Sequence, residues 1–119
     1  MVKEGGVLTQ TNHYLDERLL KFNQKVGTSS SRRLARIQDL LGSRARPFSL
    51  DDFIAMSADR GGGPDNAIWR TGGTPVKERT LSSWIVYSPT DGPPELYVKI
   101  ANPKEEERIQ RLKFKDLFR

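Results

Sequence analysis

Apolar and polar positions run through this chain in two rhythms, and the change of rhythm divides it. Residues 7–14 alternate: Val7, Thr9, Thr11 and His13 fall on one side, and Leu8, Gln10, Asn12 and Tyr14 on the other, which predicts a strand. Residues 16–26 are ambiguous, with Leu19, Leu20 and Phe22 able to anchor a helical turn or an irregular loop. The spacing then becomes helical: Leu34, Ile37, Leu40 and Leu41 predict a helix over residues 32–41, with Ser29-Ser30-Ser31 as N-cap candidates and Gly42 as its stop. A second helix has a clearer start. Ser49 caps, Asp52 stands at the third helical position, and Phe48 can staple onto Phe53; Leu50, Phe53, Ile54 and Ser57 mark the inner face. Gly61-Gly62-Gly63-Pro64 must end it.

Beyond the glycines the period falls to two. Residues 67–70 form a short strand candidate, residues 80–87 and 95–101 two stronger ones. The turn-rich stretch 88–94 should join the last two as a hairpin. In the tail, Leu112, Phe114 and Asp116 oppose Lys113 and Lys115, predicting an edge strand after a helical turn at 105–110. Strand, two helices, then three or four antiparallel strands make an α+β fold: an antiparallel sheet packed on two helices.

A length of 119 residues allows one domain and a modest core. With 35% hydrophobic and 29% charged residues, the composition is that of a packed chain rather than a disordered one. The absence of cysteine excludes disulfides, thiolate metal sites and a cysteine nucleophile within these residues. A single histidine excludes an all-histidine metal site, and no cofactor or metal is expected. No apolar run approaches the ~20 residues that span a bilayer, and residues 1–6 carry no apolar leader, so a soluble cytoplasmic protein without membrane partners is expected. The net charge of +5 is uneven: residues 18–46 hold eight basic residues and one acid, Asp39. Such a patch is either a solvated helix face or a surface for an anionic partner.

Candidate chemistry centres on Asn12 and His13. A carboxamide leaving a strand can donate its NH2 to a developing oxyanion; an imidazole can serve as a base, although no motif sets a serine or cysteine beside it. The runs Gly61-Gly62-Gly63 and Gly72-Gly73 lack the following Lys-Ser/Thr of a phosphate loop. Trp69 and Trp84 lie in strand candidates, where aromatic rings pack.

Several short motifs in fixed order resemble the acyl-coenzyme A:6-aminopenicillanic acid acyltransferase family. They are Thr11-Asn12-His13-Tyr14; Ser30-x-x-Arg33-x-x-Arg36 with a Leu-Leu helix end; Leu50-Asp51-Asp52 with Asp59; Thr80-Leu81-Ser82-Ser83-Trp84-Ile85-Val86-Tyr87; and Glu95-Leu96-Tyr97-Val98. The resemblance spans nearly the whole chain and is to the C-terminal region of that family. It implies an N-terminal-nucleophile hydrolase, whose full fold is a four-layer αββα sandwich with a self-liberated cysteine attacking an amide or thioester carbonyl. By resemblance, Asn12 takes the oxyanion role, and Arg33, Arg36 and His13 are candidates for contact with substrate. The sequence departs from the family in two places. The nucleophile would precede Met1, and the family's Gly-x-Pro-Cys stretch is Ala101-Asn102-Pro103-Lys104 here.

The expectation is a C-terminal part of an amidohydrolase or acyltransferase, residues 1–119 forming one incomplete domain that is inactive alone. It would need an N-terminal partner segment with the cysteine, or a homo-oligomer burying the strands around Leu81, Ile85, Val98 and Ile100. Two alternatives compete. A winged-helix-like module would use the two helices and the hairpin as a wing, but the Gly-rich run stands where its recognition helix should begin, so nucleic acid is not the expected partner. A non-catalytic interaction domain would leave Asn12 without a cleft.

Overall fold

The computed structural model describes residues 6–118. Residues 7–14 do not join a sheet, which corrects the first predicted strand. The segment is held by side chains along the first helix: Gln38 Nε2 donates to Thr9 Oγ1 at 3.3 Å, and Thr11 Oγ1 donates to the Ser30 carbonyl at 2.9 Å. Alternation predicts an extended backbone; it does not say whether a neighbouring strand exists to pair with. A single 3-10 turn at Leu20–Phe22 follows.

Helix α1 runs Thr28–Gly42, four residues longer at its start than the apolar spacing predicts. Its N-cap is Gly27, which has no side chain to cap with. The serines lie inside the first turn and are used elsewhere: Ser29 Oγ donates to the Asp65 carbonyl at 2.8 Å, and Ser30 turns to residues 11–13. Helix α2, Leu50–Ser57, starts as its sequence predicts. Ser49 Oγ accepts the Asp52 N–H at 3.1 Å, Asp52 Oδ2 accepts the Ser49 N–H at 2.9 Å, and the Phe48 and Phe53 rings meet edge to face at 5.7 Å. Phe53 is spent on that staple and stays exposed, whereas Met56, absent from the predicted inner face, is buried.

Residues 67–70 also form no strand. They are extended core-lining chain whose backbone groups find partners in turns: Ala67 N–H bonds the Gly63 carbonyl at 3.2 Å, Trp69 N–H the Asp59 carbonyl at 2.9 Å, and Arg70 N–H the Thr80 hydroxyl at 2.9 Å. Gly62, at φ +146°, supplies the backbone shape this crossing needs. Ala67 and Trp69 are nevertheless among the most buried residues, joining Leu50, Met56, Leu96 and Tyr97 in the core.

Three strands complete the fold: β1 Ser82–Tyr87, β2 Glu95–Ile100 and β3 Arg108–Lys113, in the order β1-β2-β3 and antiparallel throughout. The expected hairpin is present, with Tyr87 opposite Glu95. The tail reverses the expected order. Pairing with β2 draws residues 108–113 into the sheet, and the helical turn follows as α3, Phe114–Leu117. The architecture is α+β, as the sequence predicts. Among the described residues no helix lies between α2 and β1, where a winged helix would carry its recognition helix.

The register sorts the sheet's two faces. Ile85 stands opposite Tyr97, on the face with Lys99 and Arg111. That face meets α2 and Trp69: the Lys99 ammonium sits 4.2 Å from the Trp69 ring centroid and 3.0 Å from Glu107, and Arg111 reaches Asp51 at 3.7 Å. Val98 and Ile100 lie on the other face with Trp84, Val86, Leu96 and Leu112. Grouping Ile85 with Val98 and Ile100 is thus corrected. The second face is open at β1, where Trp84 is 66% and Val86 59% exposed. The radius of gyration, 16.1 Å, exceeds the roughly 13–14 Å usual for a compact chain of this length. No helix among the described residues is long and apolar enough to cross a membrane.

Candidate functional site

Two residues one helical turn apart on α1 grip residue 12. Ser30 Oγ accepts the Asn12 backbone N–H at 2.9 Å, and Arg33 donates to Asn12 Oδ1 at 2.5 Å. Positions i and i+3 share a helix face, so one rigid element fixes both the backbone and the side chain of Asn12. Arg33 is itself pinned, its Nε donating to the Ser29 carbonyl at 3.2 Å. A guanidinium only donates, so the carboxamide must present its oxygen to Arg33 and turn its NH2 the other way. That NH2 has no hydrogen-bond partner among the described residues.

Asn12 lines a cleft of about 440 Å³ together with His13, Ser30, Arg33, Arg70 and Glu78. The cleft is electropositive. Burial, and after it the nearby Arg70 charge, lowers the Arg33 guanidinium's affinity for its proton, with Glu78 acting in the opposite sense. Arg70 is paired to Glu78 at 2.7 Å. Next to Asn12, His13 Nδ1 lies 2.7 Å from Ser30 Oγ and 3.3 Å from Thr11 Oγ1. A hydroxyl therefore does stand beside the histidine, although no sequence motif announces it. Ser30 is only 6% exposed and its oxygen is fully engaged, which suits a structural anchor and not an attacking group.

The residues singled out in the sequence separate here. Asn12, His13 and Arg33 share the cleft; Arg36 does not line it. Arg36 donates from Nε and a terminal nitrogen to Asp59 at 2.9 and 2.6 Å, tying α1 to the end of α2. Its partner is held ionised: the Arg36 hydrogen bonds lower the Asp59 pKa below its ordinary value, against the opposing effect of burial. Sequence reasoning missed Arg70 and Glu78, which reach the cleft from a long loop that no periodicity connects to Asn12. The sequence offers Ser30 as a capping candidate and as the start of the Ser30-x-x-Arg33-x-x-Arg36 motif, without a role at the cleft; its spacing of three from Arg33 is the signal that places both on one face. Among the described residues no group of three or more His, Cys, Asp or Glu could hold a metal ion.

A carboxamide NH2 held by a helix, without a partner among the described residues, on a residue that lines a basic cleft, is a group of the kind that can stabilise negative charge on a carbonyl oxygen. No curated protein matches the chain. The sequence pattern of acyl-coenzyme A:6-aminopenicillanic acid acyltransferase matches it over residues 1–105. That match covers most of the 119 residues, and the chain belongs to the acyl-coenzyme A:6-aminopenicillanic acid acyltransferase family of the N-terminal-nucleophile hydrolase superfamily.

Proposed function

We propose that this chain supplies the oxyanion-stabilising half of an amidohydrolase or acyltransferase site acting on amide or acyl thioester bonds. The single observation that carries this is the Asn12 carboxamide, whose oxygen is held by Arg33 and whose NH2 has no partner among the described residues, on a residue lining a basic cleft. With no cysteine among the 119 residues, the thiol comes from a partner segment. The thiol attacks the carbonyl carbon, the carbonyl oxygen gains negative charge, and Asn12 Nδ2 donates to it. Arg33 sets the amide's orientation, while Arg70 and Arg33 favour anionic groups nearby. The open sheet face of Trp84 and Val86 is the docking surface for that segment, or for a second copy of the chain.

The test mixes the chain with a segment bearing a cysteine-led strand and measures cleavage of an amide or thioester. Asn12→Ala should lower turnover by about 100-fold or more, the effect of losing one oxyanion donor. Turnover that is unaffected by Asn12→Ala would remove the proposed role.

A further inference from the structure

The protons of the cluster at His13 can be counted. Thr11 Oγ1 lies 2.9 Å from the Ser30 carbonyl oxygen and 2.9 Å from Ser30 Oγ; Ser30 Oγ also receives the Asn12 N–H at 2.9 Å and lies 2.7 Å from His13 Nδ1. A carbonyl oxygen only accepts, so the one Thr11 hydroxyl proton is committed to it. The contact between the two hydroxyls must then use the Ser30 proton. With that proton spent, Ser30 Oγ can only accept from the imidazole, and Nδ1 must carry hydrogen. The reverse arrangement, Ser30 donating to Nδ1, leaves the one Thr11 proton serving three acceptors at once: the Ser30 carbonyl, Ser30 Oγ and, at 3.3 Å, Nδ1 itself. Ser30 is buried, so bulk water does not make up the difference.

A neutral imidazole has one N–H, so a hydrogen on Nδ1 leaves Nε2 with its unshared pair. Nε2 has no hydrogen-bond partner among the described residues, and His13 lines the cleft beside Asn12. Consecutive residues thus offer a donor, Asn12 Nδ2, and an acceptor, His13 Nε2. A secondary amide carries the reciprocal pair, C=O and N–H. A thioester or an N,N-disubstituted amide has the carbonyl alone. We propose that Ser30, backed by Thr11, is a positioning residue that holds His13 as the Nδ1–H tautomer, so that the Asn12–His13 pair selects secondary amides. The choice of ligand rests on the reading of the cleft proposed above; the tautomer does not.

Because His13 is the only histidine, its ring nitrogens give one set of signals in a long-range 1H–15N correlation spectrum. The spectrum is recorded at about pH 9, above the usual histidine range near 6.5. The wild-type chain should show Nδ1 protonated and Nε2 bare. Thr11→Val keeps the side-chain shape but removes the acceptor of the Ser30 proton, which then turns to Nδ1; the two ring signals should exchange. Ser30→Ala should likewise release the ring to the Nε2–H form that free histidine prefers, and Ser30→Thr should keep the wild-type pattern. A bare Nδ1 in the wild type, or a Thr11→Val chain that keeps its fold by circular dichroism and its original ring signals, overturns the assignment. For the ligand, N-methylhexanamide should move the Nε2 signal and bind roughly fivefold tighter than N,N-dimethylhexanamide, the value of one net hydrogen bond. Equal affinities, or no response to either amide, overturn the selection of secondary amides. A reconstituted enzyme indifferent to Asn12→Ala would sink the oxyanion reading and leave the ring spectra as they are.

Discussion

Asp59→Asn keeps the shape of a residue that joins three parts of the molecule and removes its charge. The carboxylate accepts from Arg36 at 2.9 and 2.6 Å and from the Gly61 N–H at 3.1 Å, while the Asp59 carbonyl accepts from Trp69. Hydrogen bonds to a charged group are worth about 1.5–3 kcal/mol when well shielded. The Asp59 side chain is 14% exposed but that of Arg36 is 38% exposed, so water screens part of the interaction. An asparagine also retains one acceptor oxygen. The expected loss is about 1–2 kcal/mol, and a melting temperature lower by about 5–10 °C. The pH dependence is the sharper readout. The Arg36 hydrogen bonds hold the folded carboxyl below its ordinary value of 3.8, so its contribution is complete above that value and disappears as pH falls through the folded one. The gap between wild type and variant, from thermal melts by circular dichroism, should be flat above about pH 5 and close on acidification. In a double-mutant cycle, Arg36→Met should add little once Asp59 is Asn. An unchanged melting temperature, or a gap that widens in acid, would refute the reasoning.

Three further perturbations address the core, the crossing loop and the open sheet face. Met56→Ala removes a side chain that is 2% exposed and should cost about 2–5 kcal/mol in urea unfolding. Gly62→Ala puts a Cβ 3.1 Å from the Asn66 carbonyl oxygen at a φ of +146°, and should cost about 1–3 kcal/mol by the same measurement. Trp84→Glu charges the open face without touching the cleft, and should leave the thermal melt near wild type while abolishing any self-association or segment binding seen by sedimentation.

What the sequence reveals here follows the range of the interactions. The start of α2 is legible because its determinants, Phe48, Ser49, Asp52 and Phe53, lie within one turn. The β1–β2 hairpin is legible because alternation and a turn-rich link are local too. Residues 7–14 and 67–70 alternate equally well, yet neither joins the sheet, because pairing depends on a neighbour that the segment itself does not encode. The same limit hides the faces of the sheet: whether Ile85 lies with Val98 or with Tyr97 depends on a register fixed across strands. At the cleft, family resemblance points to Asn12 and Arg33 but does not give the direction of the carboxamide. That direction depends on one guanidinium arriving from 21 positions away.

Ser30, Arg33 and Arg36 follow one another at every third position along α1, the first two clasping residues 11–13 and the third moored to Asp59. The helix therefore works as a lever with its mooring one turn beyond its grip. A change at Asp59, remote from the cleft, should travel through α1 to Ser30 and Arg33 and turn the Asn12 side chain as well as loosen the fold.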